Sequence, residues 1–292
     1  MRSFIPRVCV AAIFAGLLVA VPAAASSFLF STGNPDGLIA TLSRPGSTGL
    51  LETETADDFV TTAFDTRLTQ ATFFGLIPTG TPLTSISQVE IEFYHVFPAD
   101  SGPFDGKVPT RVNSPADVEI SSDTRDSAAG TLTFTPSVVS SMFSVANTVV
   151  NGINGATPFT GGEGPATGQE VLISVNFTTP VDLTADHYFF RPEVMLSSGN
   201  FLWLSAPRPI VPPGTPFPPG FTDQQSWIRN GDLSPDWLRI GTDITHEGPF
   251  NAAFSLSGDV PEPSSLLLLG IGLAVLLACG KRSRWLCAAR TE

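Results

Sequence analysis

Between residues 26 and 259, apolar and polar side chains alternate in short runs that Gly, Pro, Asn and Asp interrupt. A period of two puts successive side chains on opposite faces of a pleated strand, whereas a helix repeats its apolar positions every three to four residues. The clearest run is Ser87 to Phe97. Val89, Ile91, Phe93, His95 and Phe97 make one face, and Gln88, Glu90, Glu92 and Tyr94 make the other. It predicts an antiparallel strand with one face packed and the other in water. Glu170 to Thr178 repeats the pattern, with Val171, Ile173, Val175 and Phe177 inward. Further strands are predicted at 58–64, 68–77, 118–121, 131–135, 187–196, 201–204, 237–241 and 252–257. About ten short strands with turn residues between them imply an all-β body, a jelly-roll-like or immunoglobulin-like antiparallel β-sandwich.

Residues 206–220 are rich in proline, which cannot donate to a strand ladder, and they predict a long extended surface loop. A second, glycine-rich loop covers 151–168. Trp227, Trp237 and the strand near Ala252 follow the proline loop and need a core to join, so 26–259 reads as one domain. No internal repeat of roughly 20 to 50 residues is present, which argues against a propeller or solenoid.

The two ends have a different pattern. Arg2 and Arg7 precede an uncharged run from Val8 to Val21, and small residues follow at Ala23 and Ala25. That order predicts a signal peptide over 1–25, cut after Ala25 by signal peptidase, because the apolar run falls short of the about 20 residues that span a bilayer. At the other end, Val260-Pro261-Glu262-Pro263 is a stiff acidic stretch that can continue neither strand nor helix. Ser264 to Gly280 carries no charge. As a helix rising 1.5 Å per residue it would reach about 26 Å, enough to cross hydrocarbon. Lys281, Arg282 and Arg284 come next and would hold the tail on the cytoplasmic side, leaving the body outside.

Pro-Glu-Pro, an apolar span and a basic cluster in that order, from Val260-Pro261-Glu262-Pro263 to Lys281-Arg282-Ser283-Arg284, resemble the PEP-CTERM sorting signal. Such signals occur on exported proteins of Gram-negative bacteria that make extracellular polysaccharide. The resemblance covers residues 260–292 alone: motif 260–263, transmembrane helix 264–280, basic tail 281–292. It implies that exosortase, a membrane-embedded transpeptidase-like protease, recognises Pro261, Glu262 and Pro263 as a substrate tag and removes the tail. The membrane would then hold the protein only transiently on its way to the cell surface or the medium.

Residues 26–263 hold nine basic and twenty-six acidic side chains, a net charge of −17. Nucleic acid is thereby excluded as an expected partner, since binding it needs cations against phosphate. The excess suits solubility, repulsion from anionic surfaces, or divalent cations. Cys9, Cys279 and Cys287 all lie outside the body, so disulfides, thiol nucleophiles and thiolate metal sites are excluded from it. Its core must hold it together, and most of the 22 phenylalanines lie there to do so.

Motifs that would announce catalysis are missing: no Gly-x-Ser-x-Gly elbow, no phosphate loop, no dinucleotide glycine signature. His246-Glu247 runs into Gly248-Pro249 without a second histidine, and His95, His187 and His246 are scattered. His95 on its apolar face reads as a satisfied core or edge histidine. Carboxylate pairs of the glycosidase type leave no fixed spacing, so that chemistry stays open. Asp57-Asp58 would cap a turn or give oxygens to calcium. Trp227 and Trp237 would stack on sugar rings or pack in the core. No cofactor is expected beyond such calcium. The expected function is that of a non-enzymatic surface or extracellular-matrix protein that associates with exopolysaccharide in a biofilm. A secreted polysaccharide hydrolase and a calcium-dependent adhesion module are the alternatives.

Overall fold

The computed structural model describes residues 26–63, 65–101, 111–120, 125–151, 153, 157–231, 237–260 and 272. The predicted signal segment with Ala23 and Ala25 lies outside them. So do Pro261, Glu262, Pro263, the span 264–280 apart from Gly272, and Lys281, Arg282 and Arg284. Among the described residues, no helix is long and apolar enough to cross a membrane.

Two sheets make the body, nearly all of it β structure. The smaller contains β3 (Thr53–Thr61), β5 (Ile86–His95), β6 (Arg125–Asp126), β10 (Asp186–Leu196), β12 (Trp227–Asn230) and β13 (Leu238–Arg239). Its order is β13-β12-β3-β10-β5-β6. The larger contains β1 (Ser26–Ser31), β2 (Ile39–Leu42), β4 (Thr66–Ile77), β7 (Leu132–Val145), β8 (Asn147–Val149), β9 (Ala166–Leu183), β11 (Leu202–Ala206), β14 (Asn251–Ala252) and β15 (Phe254–Val260). Its main path is β1-β15-β4-β11-β2-β8, with β9 added on β4 and β7 on β9. Pairing is antiparallel except between β2 and β8. The pairs β7–β9, β5–β10, β4–β11 and β3–β12 are nested in sequence, each enclosed by the next.

Apolar faces of both sheets meet in one core. Phe59, Phe93 and Phe190 of the smaller sheet pack with Phe73, Trp203 and Phe254 of the larger. Phe190 is central, with ring centroids 5.1 Å from Phe254, 5.9 Å from Trp203 and 6.2 Å from Phe73. Each such pair adds about 0.5–1.5 kcal/mol beyond its buried area, and that is how a body without cystine is held. Gly75 belongs to the same packing: a Cβ there would fall 1.9 Å from the Phe201 ring.

The predicted strands at 170–178, 68–77, 187–196 and 252–257 are realised within β9, β4, β10 and β14–β15; 87–97 is realised as β5 as far as His95, and 201–204 as β11 from Leu202 on. Three expectations fail. Residues 118–120 form no strand. Residues 237–241 give only the two-residue β13 followed by a π-helical turn, Ile240–Ile244. Gly241 allows that turn, since a Cβ would meet the Gly248 carbonyl oxygen at 1.9 Å. The third failure is the wet face of β5, for Glu92 and Tyr94 are 8 % and 1 % exposed. The segment around Ala116 covers that face: the Ala116 carbonyl accepts the Trp237 indole N–H, and the Asp117 carbonyl accepts Arg229 Nη1.

Candidate functional site

Alternation along β3, β5 and β10 sends Glu54, Glu90, Glu92, Arg191 and Glu193 to the same outer face of the smaller sheet, where Arg191 faces Glu92 and Glu193 faces Glu90 across the ladder. Arg191 is 2 % exposed, and its guanidinium contacts Glu92, Glu193 Oε2 at 2.5 Å and Glu54 Oε2 at 3.4 Å. Arg229 from β12 donates through Nε to Glu54 Oε1 at 2.8 Å and lies 4.4 Å over the Trp237 ring. The Tyr94 hydroxyl sits 2.5 Å from Glu92 Oε2 and accepts from Arg229 Nη2 at 3.2 Å.

Burial sets the proton affinities here. It would push Glu54 up, but Arg191 and Arg229 outweigh it and hold Glu54 below the usual carboxylate range. Glu193, fully buried, stays well above that range despite Arg191. Glu90 is raised to about 7 by burial, against Arg191 and with help from Glu92 and Asp126. Glu52, just before β3, is raised by burial and by Glu54. Oxygens of Glu52, Glu90 and Glu193 all lie within 4.8 Å of one another, a group able to hold a metal ion. Sequence reading missed this group. Its signal was the Glu90-x-Glu92 and Arg191-x-Glu193 alternation on strands that pair.

Asp57 and Asp58 cap no turn. Both are buried in the middle of β3, where neighbours point to opposite faces. Asp57 Oδ2 accepts the Ala252 N–H at 2.7 Å, while Asp58 Oδ2 meets His187 Nε2 at 2.5 Å and accepts the Gln224 N–H at 3.0 Å. Burial raises both carboxyls, and Asp58 adds to the rise at Asp57. They do not converge on one ion as a calcium loop would. Trp227 and Trp237, 1 % and 0 % exposed, pack with Ala56, Tyr94 and Phe189 and present no face to a sugar. The histidines stay apart: His95 Nδ1 lies 2.5 Å from Asp100 Oδ2, and His246 stacks on Phe159.

Beside the carboxylates, a cleft of about 720 Å³ is lined by Arg44, Leu50, Leu51, Asn151, Asn200 and Asn230, among others. Arg44 ties its walls by donating to Asn200 Oδ1 at 2.9 Å and to the Leu51 carbonyl at 2.8 Å. Leu50 and Leu51 are half exposed. Burial lowers the Arg44 pKa, and Glu193 opposes that shift.

The chain's sorting end is marked separately. Val260 closes β15, and Pro261, which has no N–H, follows it. Neither the curated proteins nor the solved structures contain a match to the chain. Residues 259–282 match the family model of the PEP-CTERM protein-sorting motif, and the chain is a PEP-CTERM protein by that signal.

Proposed function

We propose that this exported, exosortase-sorted protein is a non-enzymatic component of the cell surface or extracellular matrix whose body associates with exopolysaccharide. The sorting motif at 259–282 carries the reading, because such a motif marks exported proteins for release to the surface or beyond. Signal peptidase would act first, after Ala25, and exosortase at Pro261-Glu262-Pro263 afterwards. The nested strand pairs support a jelly-roll-like form of the sandwich. With Trp227 and Trp237 buried, the cleft is the surface suited to a sugar chain: amides of Asn151, Asn200 and Asn230 can both donate to and accept from hydroxyls, and Leu50 and Leu51 offer apolar contact.

Retention of the purified full-length protein on immobilised bacterial exopolysaccharides tests the reading. Wild type should be retained without releasing reducing sugar, and Asn200→Ala should weaken retention several-fold. Release of reducing ends would favour a hydrolase, and passage straight through every polysaccharide column would contradict the association.

A further inference from the structure

We propose that Glu52, Glu90 and Glu193 bind one divalent cation, of the calcium class, at the outer face of the smaller sheet. The proposal stands apart from the polysaccharide reading, since it rests only on the carboxylate geometry. Five glutamates, 52, 54, 90, 92 and 193, gather around two cations, Arg191 and Arg229. Three carboxyls are therefore left without a cation of their own, and a divalent ion would favour their ionised forms. The arginines make their closest contacts with other oxygens: Arg229 with Glu54, and Arg191 with Glu92 and Glu193 Oε2. Its Nη2 stands 3.7 Å from Glu52 Oε1 and from Glu90 Oε1, beyond hydrogen-bond length.

Independent of the clustering, Glu193 is 0 % exposed, and its Oε1 has no hydrogen-bond partner. A buried carboxyl oxygen without a partner is costly, and Glu193 is the most buried member of the group. Glu52 and Glu90 form the rim, with side chains 35 % and 18 % exposed. An ion could enter past them and keep water on its open side. The ligands are hard oxygens only, which favours calcium or magnesium over zinc or copper. Ligand number favours calcium: magnesium gives up its waters reluctantly and usually takes one or two carboxylates, whereas calcium accepts several. Three carboxyl oxygens within 4.8 Å of one another offer such a set.

The test is calorimetric titration of calcium chloride into the full-length protein in detergent after chelator treatment, with thermal unfolding in calcium and in chelator. One ion per chain and a higher unfolding temperature in calcium are expected. Glu193→Gln, which keeps the shape, should weaken binding at least tenfold, and so should Glu52→Gln at the exposed rim, where folding is not at stake. Asp182→Asn, on an exposed carboxylate of β9, should bind as wild type. No heat and no calcium-dependent shift in wild type, or unchanged binding in Glu52→Gln and Glu193→Gln, would overturn the proposal. Equal or tighter binding of magnesium would overturn the calcium assignment.

Discussion

Ser26 pairs with Val260 across the antiparallel ladder of β1 and β15. The residue expected to begin the exported chain thus lies beside the residue that precedes Pro261, and both expected processing points adjoin one end of one strand pair. N-terminal sequencing of exported protein should read Ser-Ser-Phe-Leu from Ser26. A retained Met1 would contradict the signal-peptide reading.

That strand pair matters for stability because β1 carries Phe30 into the core. Phe30 is 3 % exposed and packs its ring on Phe59, Phe217 and Phe254. Phe30→Ala should cost about 3–5 kcal/mol in urea unfolding, the range for a large buried ring lost from a packed core. A loss below about 1 kcal/mol would mean that β1 is dispensable.

Trp237 should behave as a structural residue. Its indole N–H donates to the Ala116 carbonyl at 3.1 Å, and its ring lies under Arg229. Trp237→Ala is expected to destabilise by about 3–5 kcal/mol. Trp237→Phe, which keeps a ring beneath the guanidinium, should retain wild-type binding to polysaccharide. Loss of binding in a stable Trp237→Phe protein would restore the sugar-stacking role.

The glutamate cluster predicts a pH dependence. Glu90 faces Arg191 and Glu193 from β10, Asp126 from β6, Glu52 from the approach to β3 and Glu92 on its own strand. Its affinity for a proton rises from an ordinary 4.5 to about 7 on folding. A raised carboxyl favours the folded state fully below the unfolded value, and that contribution is lost as pH climbs through about 7. In chelator, wild type should therefore lose more thermal stability between about pH 5 and 7.5 than Glu90→Gln, which has no proton to release. Equal losses would show that Glu90 is not protonated in the folded protein.

Much of this fold was legible because alternation reports which strands have one packed face. β5 and β9 were found in that way. β1, β2, β8 and β12 are short and flanked by turn residues, so their apolar positions made too few repeats to register. The pattern also misled where a covering segment changed the environment. Glu92 and Tyr94 look like solvent-facing positions until the segment around Ala116 and the indole of Trp237 close over them. Asp57-Asp58 resembles a turn because aspartates are common there, yet the pair sits in mid-strand with Ala252 and His187 as partners. The glutamate cluster joins residues from positions 52 to 193, and only strand pairing brings them together.

Absence of cysteine from 26–260 gives a further expectation. Thermal unfolding of the exported protein with and without reductant should coincide. A large shift would point to intermolecular or unrecognised thiol chemistry.

Sorting through the PEP-CTERM motif is the central claim, and cell fractionation of wild type beside Glu262→Ala, in a strain that carries exosortase, tests it most directly. An antibody to the body should find wild type shortened and at the surface or in the medium. Glu262→Ala should fold and be exported but accumulate at full length in the inner membrane. Equal size and equal surface arrival of the two proteins would contradict it, leaving Pro261-Glu262-Pro263 as no more than a linker.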